Sequence, residues 1–215
     1  MMTVAKNGLF ITFEGPEGAG KSTQIELLRE YFEKRGKDCV VAREPGGTEI
    51  GEKLRDILKH HKGEEPLYAE AELLLFEASR AQLVRNLIIP SLKNDCVVIC
   101  DRFYDSTAAY QGYARKMDLD FINELNSFAS CGRSPDITIL LDLPVEEGFR
   151  RTKTRQETLL KDDRIESEAL DFHRAVRDGF LDIASREPER IKIVSALGEA
   201  SEIHKKIIEE IDNAV

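Results

Sequence analysis

The chain is short of positive charge, of paired cysteines, of long apolar runs and of repeats, and each shortage removes a class of function. Its 215 residues carry 31 Lys and Arg against 40 Asp and Glu, a formal net charge of −9. A general nucleic-acid binder draws its affinity from many cationic contacts to phosphates, so no nucleic-acid partner is expected, and anionic ligands must meet local clusters of Arg and Lys. The four cysteines, Cys39, Cys96, Cys100 and Cys131, form no C-x-x-C pair and stand mostly among apolar residues, which reads as reduced, buried thiols. On one strand Cys96 and Cys100 would lie about 13 Å apart, at roughly 3.3 Å per residue, too far for one disulfide or one zinc. No apolar run approaches about 18 residues and no signal-peptide pattern opens the chain, so no membrane partner is expected and the cytoplasm is the expected location. With no repeat or low-complexity segment and 41% hydrophobic content, one domain spanning 1–215 is expected.

What the chain does have is centred on Gly15-Pro16-Glu17-Gly18-Ala19-Gly20-Lys21-Ser22, a full match to G-x-x-x-x-G-K-[ST]. Before it, Leu9-Phe10-Ile11-Thr12-Phe13 reads as a short buried strand; after it, Ile25, Leu27, Leu28, Tyr31 and Phe32 recur at helical spacing. A polyphosphate must be wrapped by backbone N–H groups, and glycines let the backbone come close enough. A helix starting near Gly20 aims its free N–H groups and positive dipole end at the anion. Lys21 can reach the outer phosphates and Ser22 can ligate Mg²⁺. The ATP-binding residues expected are Gly15 to Ser22 and the adjoining Thr23.

Five apolar runs alternate with amphipathic stretches, around Phe10–Phe13, Cys39–Ala42, Val97–Cys100, Ile137–Leu141 and Ile191–Val194. That alternation predicts an α/β fold, a parallel sheet with helices on both faces, and ligands at the carboxyl ends of the strands. The unusual residues fall at those ends. Arg43-Glu44-Pro45-Gly46-Gly47-Thr48 reads as a sharp turn, with Thr48 capping a helix over about Glu49 to His60; Arg43 is either part of that turn alone or also an anion contact. Asp101-Arg102-Phe103 puts at the tip of a buried strand an acid able to hold Mg²⁺-bound water and an Arg able to grip a second phosphate bidentately, though a strand-end salt bridge is the plainer alternative. Phe76 and Arg80 are i and i+4 on one helical pattern, where a ring can stack on a nucleobase while a guanidinium donates to a carbonyl oxygen. By periodicity alone a residue placed like Phe76 is more often core.

Together these residues resemble the thymidylate kinases, in their bacterial form, of the P-loop nucleoside-monophosphate kinase family. The likeness runs nearly the whole chain. It is carried by Gly15 to Ser22, Arg43 to Thr48, Phe76-x-x-x-Arg80-Ala81-Gln82, Asp101-Arg102-Phe103, Ser106-Thr107-x-x-Tyr110-Gln111-Gly112 and Asp163-Arg164-Ile165-Glu166. The resemblance implies a five-stranded parallel sheet of the P-loop NTP hydrolase type and ATP-dependent phosphorylation of dTMP to dTDP with Mg²⁺, a step toward dTTP. It further implies that Phe76 stacks on thymine, Arg80 donates to a thymine carbonyl, and Arg102 holds the dTMP phosphate with help from Arg43. Glu17 would lie near the sugar 3′-hydroxyl or the metal, Ser106 and Gln111 at the base, and Tyr110 against the sugar. Ser22 and Asp101 would be the metal residues, and a homodimer packed through helices is implied.

The family divides by whether its catalytic cation sits in the phosphate loop or in a mobile lid. Gly18 is uncharged, so the lid type is implied, with a lid at about 150–164 carrying Arg151, Lys153 and Arg155 beside Lys21, Asp101 and Arg102 as the catalytic set. The stretch Gln156 to Asp162 is longer than the family pattern before Asp163-Arg164. A GTPase-like switch would share loop and fold but usually carries D-x-x-G and N-K-x-D, and neither occurs here. Among enzymes, the alternative is another nucleoside-monophosphate or nucleoside kinase; Arg102 is the cation that a monophosphate acceptor needs.

Overall fold

A computed structural model describes residues 8–61, 63–156, 164–165 and 168–214, with the main chain alone for 153–156. Five strands, β1 (Leu9–Glu14), β2 (Cys39–Arg43), β3 (Val97–Asp101), β4 (Ile137–Asp142) and β5 (Ile191–Ser195), form one sheet in the order β2-β3-β1-β4-β5, every pairing parallel. Each expected apolar run is a strand, one or two residues longer than its apolar core. Purely parallel sheets are covered on both faces, which is why strands such as Val97-Val98-Ile99-Cys100 are apolar at successive positions rather than alternating.

The helices that cover the sheet are α1 (Lys21–Glu33), α2 (Glu49–His60), α3 (Ala69–Leu83), α4 (Ile89–Lys93), α5 (Tyr104–Thr107), α6 (Leu119–Ala129), α7 (Val145–Gln156), α8 (Leu170–Arg186) and α9 (Ala200–Ala214). A π-helical turn, Val84–Ile88, joins α3 to α4, and a longer one, Ala108–Ala114, extends α5. The pleat divides β1 between two cores. Ile11 and Phe13 pack with Ile25, Leu28 and Ile207 under α1 and α9, whereas Phe10 packs with Leu83, Val84 and Ile88 on the opposite face. A third cluster joins Leu140 and Ile191 to Val176 and Phe180 of α8. Each fully buried Leu, Ile or Phe of these clusters contributes roughly 1.5–3 kcal/mol relative to exposure.

Local chemistry places the helix starts at the site. Thr48 caps α2 by accepting from the Gly51 N–H at 3.0 Å, with Glu49 and Glu52 in the first turn and Lys59 and His60 in the last, the polarity that suits the helix dipole. Gly20, at φ 85°, turns the chain into α1 in a conformation that a side chain would oppose. The cysteines depart in part from the expectation of burial. Cys100 is buried, but Cys39 and Cys96 are half-buried and Cys131 is exposed, because it lies in the turn after α6 at φ 55° rather than on a strand. No cluster able to hold a metal through His, Cys, Asp and Glu occurs among the described residues.

Candidate active site

The carboxyl ends of β1, β2 and β3 open into a cavity of about 520 Å³, lined by Lys21, Ser22, Phe76, Asp101, Arg102 and Gln111 among others. The loop 15–20 forms one wall. Gly15 at φ 132° runs so close to β4 that an added Cβ would lie 2.3 Å from the Leu141 carbonyl oxygen, so that position requires glycine. Lys21 is buried and donates from Nζ to the carbonyl oxygens of Gly15 and Pro16, 3.0 Å each. Burial and the nearby Arg102 charge both lower its pKa from the ordinary lysine value. Ser22 and Thr23 face the same cavity from the first turn of α1.

Opposite stands Arg102, whose φ of 68° is the left-handed region that L residues rarely adopt. The turn is held from both ends. Glu14, buried at the end of β1, accepts from the Phe103 N–H at 2.7 Å and from Ser106 Oγ at 2.6 Å. Arg102 Nη1 donates to Ser106 Oγ (3.1 Å) and Nη2 to Glu17 Oε1 (2.6 Å), while its guanidinium carbon lies 5.3 Å from the centroid of the Tyr110 ring. Burial alone would raise the Glu17 pKa, yet Arg102, Lys21 and Lys59 outweigh it and hold that carboxyl down at about 2. Glu14 goes the other way: burial first, then the Asp105 charge, lift it to about 7 against Arg102 and its hydrogen bonds.

Phe76 is half-buried, lines the cavity and belongs to none of the core clusters, so its ring faces the space rather than the core. Arg80 reaches the cavity wall too, but its guanidinium is 1% exposed and engaged by protein. Nε donates to Glu44 Oε2 (2.8 Å), Nη1 to Glu77 Oε1 (2.8 Å) and Asn126 Oδ1 (2.7 Å), and Nη2 to Thr107 Oγ1 (2.8 Å). Any base carbonyl would share these donors. Burial raises the Glu44 pKa to about 7 in spite of Arg80. Ser106, Tyr110 and Gln111 all line the cavity from α5 and the π-turn after it; Gln111 Nε2 donates to Glu72 Oε1 at 2.8 Å. Arg43 lines it while exposed, its Nη2 donating to Glu52 Oε2 at 2.8 Å.

From α7, Arg151 reaches back to the loop. Its Nε donates to Glu147 Oε1 (2.8 Å), Nη1 to the Gly18 carbonyl (3.4 Å) and both terminal nitrogens to the Ala196 carbonyl (3.2 Å). Lys153 and Arg155 share this helix, but their side chains, the stretch 157–163 and Glu166 lie outside the described residues. Asp101 Oδ1 is a buried oxygen without a hydrogen-bond partner, in the same cavity as Ser22 Oγ. An unpaired hard oxygen, with a serine and the phosphate loop lining the same cavity, is chemistry that suits Mg²⁺.

Several site residues carry no sequence signal. Arg55 and Lys59 line the cavity from α2, where their i, i+4 spacing reads as an ordinary solvated helix face. Glu14 and Glu72 sit inside apolar or amphipathic runs, and only the partners folded against them show what they do.

A protein-family model described as thymidylate kinase matches residues 13–207. A thymidylate kinase of Kosmotoga olearia is 45% identical over 202 residues, covering 94% of each chain. One of Chlorobaculum tepidum is 46% identical over 209 residues, covering 95% of this chain and 97% of its own. The crystal structure of thymidylate kinase from Ehrlichia chaffeensis superposes with a TM-score of 0.76 at 35% identity, covering 95% and 98% of the two chains. End-to-end likeness in sequence and fold, around a cavity with a phosphate loop on one side and a held arginine on the other, leaves one assignment: this chain belongs to the thymidylate kinase family.

Proposed function

We propose that this chain phosphorylates dTMP to dTDP with ATP as donor. The observation that carries the reading is the placing of Arg102, held by Glu17 and Ser106, in the cavity that Lys21 enters from the opposite wall. A nucleotide switch needs a cradle for one nucleotide only. A second cation, the Arg102 guanidinium from another strand end, supplies the bidentate grip for an acceptor phosphate. The donor polyphosphate would lie along 15–22, the acceptor phosphate at Arg102 and the base against Phe76, so the chain does its work by aligning two anions that repel each other.

In that arrangement Lys21 neutralises charge on the donor phosphates, and Arg151, tied to the loop through the Gly18 carbonyl, adds charge from α7. Ser22 and Asp101 would hold Mg²⁺, which when bound screens the donor phosphates and fixes their geometry. The stretch at about 150–164 is the lid in this reading, and Lys153 and Arg155 belong to its catalytic set. A homodimer is supported by large apolar side chains exposed on α3 and α6, Leu74, Phe121 and Phe128. No helix among the described residues is long and apolar enough to cross a membrane. The cytoplasm, where nucleotides are made, is the location proposed.

Coupled ADP release with dTMP, dUMP, dCMP, dGMP and dAMP in turn tests the function. dTMP should be turned over fastest. Faster turnover of another monophosphate would move the chain to a different kinase, and no turnover with any of the five would favour a nucleotide switch.

A further inference from the structure

One buried carboxylate at the edge of the site touches neither wall of the phosphate path. Glu72 lies one turn before Phe76 on α3, so 72, 76 and 80 share a helix face. It is 1% exposed and its two oxygens are fully subscribed. Oε1 accepts from Gln111 Nε2 at 2.8 Å and Arg115 Nε at 3.3 Å; Oε2 accepts from Arg115 Nη2 at 3.2 Å and from Arg164 Nη2. With those lone pairs used, Glu72 has nothing to offer a ligand directly.

One of its partners faces the cavity, and another is next in sequence to a residue that does. Gln111 lines it, and because a carboxylate can only accept, Glu72 fixes which end of that amide turns away: Nε2 faces Glu72, leaving the amide oxygen and the second N–H for other partners. Arg164 is pinned from a second direction, its backbone N–H donating to the Lys59 carbonyl (3.1 Å) and its Nε to the Leu58 carbonyl (3.2 Å). The next residue, Ile165, lines the cavity. Arg115 in turn reaches Glu168 at 2.7 Å, so Glu72 is tied through its two arginines to the chain at 164–168.

We propose that Glu72 is a positioning residue for the acceptor nucleotide, setting the Gln111 amide and holding Ile165 at the cavity through Arg164. This rests on the dTMP kinase reading. Burial works against the charge of Glu72, but Arg115, Arg164 and Gln111 more than offset it and lower its pKa, so the tie is ionic at neutral pH. Two guanidiniums from different segments on one carboxylate make a junction rather than a pair, and its loss frees the base side of the cavity while leaving the phosphate loop untouched.

Glu72→Gln keeps the volume but puts an N–H₂ group against the two guanidiniums. The dTMP KM should rise about tenfold or more, with ATP KM and kcat at saturation within about threefold of the parent, since a charge-assisted hydrogen bond is being lost at the acceptor side alone. Arg164→Met should raise the dTMP KM likewise. The double variant should be no worse than the worse single one, the non-additivity expected of residues acting through each other. An unchanged dTMP KM, an equal rise in both KM values, or full additivity would overturn the proposal. If Glu72→Gln fails to fold, Arg164→Met alone decides, an unchanged dTMP KM again overturning it. A parent that does not turn over dTMP would instead sink the functional reading, and this one with it.

Discussion

Gly18 of the phosphate loop and Gly148 of α7 face each other backbone to backbone: a Cβ on Gly18 would lie 2.7 Å from the Gly148 carbonyl oxygen, and one on Gly148 would lie 2.5 Å from that of Glu17. The first turns of α7 are therefore built onto the loop, and Arg151, one turn on from Gly148, reaches the loop because of it. The same contact explains in steric terms why position 18 holds no arginine: there is no room for its Cβ, and its φ is 76°.

Gly148→Ala sets two effects against each other. Alanine favours a helix over glycine by about 1 kcal/mol, whereas overpacking against fixed backbone costs roughly 1–3 kcal/mol. The clash should win. Thermal unfolding should show a lowered midpoint and the ATP KM should rise; a midpoint raised above the parent's would mean that the two backbones are not in contact.

Arg102→Met should raise the dTMP KM by about 10–100-fold, the range for a hydrogen bond to a charged group, with little change in the ATP KM. It should also alter acid stability. Glu17, held at about 2 against an ordinary 4.5, contributes stability that is complete above about pH 4.5 and lost as pH falls toward 2. Because Glu17 is partly exposed, the contribution is modest, and it should shrink in the variant. Acid titrations that superimpose for the two proteins would contradict this.

Glu14 has the opposite sign. With a folded-state pKa near 7 against 4.5, it contributes stability that is complete below about pH 4.5 and lost as pH rises through 7. Glu14→Gln should flatten the decline of stability between pH 4.5 and 7. Denaturant unfolding across that range checks it, and an equal slope in the variant would assign the decline elsewhere, Glu44 being the next candidate.

Arg151→Ala should lower kcat by about 10²-fold, on the order of 3 kcal/mol of transition-state stabilisation, with smaller changes in either KM. Lys153→Ala should cost less, since 151 and 155 share a helix face and 153 does not. Single-turnover rates separate the two. A larger loss at Lys153 would reverse the facial argument.

Phe76→Ala should weaken dTMP and dUMP alike, because a ring stacked on the base would contact what the two bases share. The parent's preference for dTMP, one methyl in an apolar pocket, should fall within about 10–200-fold. Equal dTMP affinity in parent and variant would return Phe76 to a packing role.

Much of this protein is written locally. Strands such as Ile137-Thr138-Ile139-Leu140-Leu141 are apolar at nearly every position because both faces are covered, and Thr48 marks the start of α2 because a hydroxyl can cap only N–H groups within a few residues. The phosphate loop is legible for the same reason: its glycines, Lys21 and Ser22 stand in one continuous stretch. Arg102 stands out by its position after a strand. What local sequence could not decide is which buried groups meet. Arg80 reads as a ligand donor from its own helix alone; that Glu44, Asn126 and Thr107, from three other places along the chain, join Glu77 of the same helix around its guanidinium shows only in the fold. Glu72 gains its partners only when the fold brings Gln111 and Arg115, from the π-turn and its end, and Arg164 to it. Periodicity reports that a position is buried. Whether a charge there is matched depends on partners tens of residues away, and that pairing is a property of the packed fold.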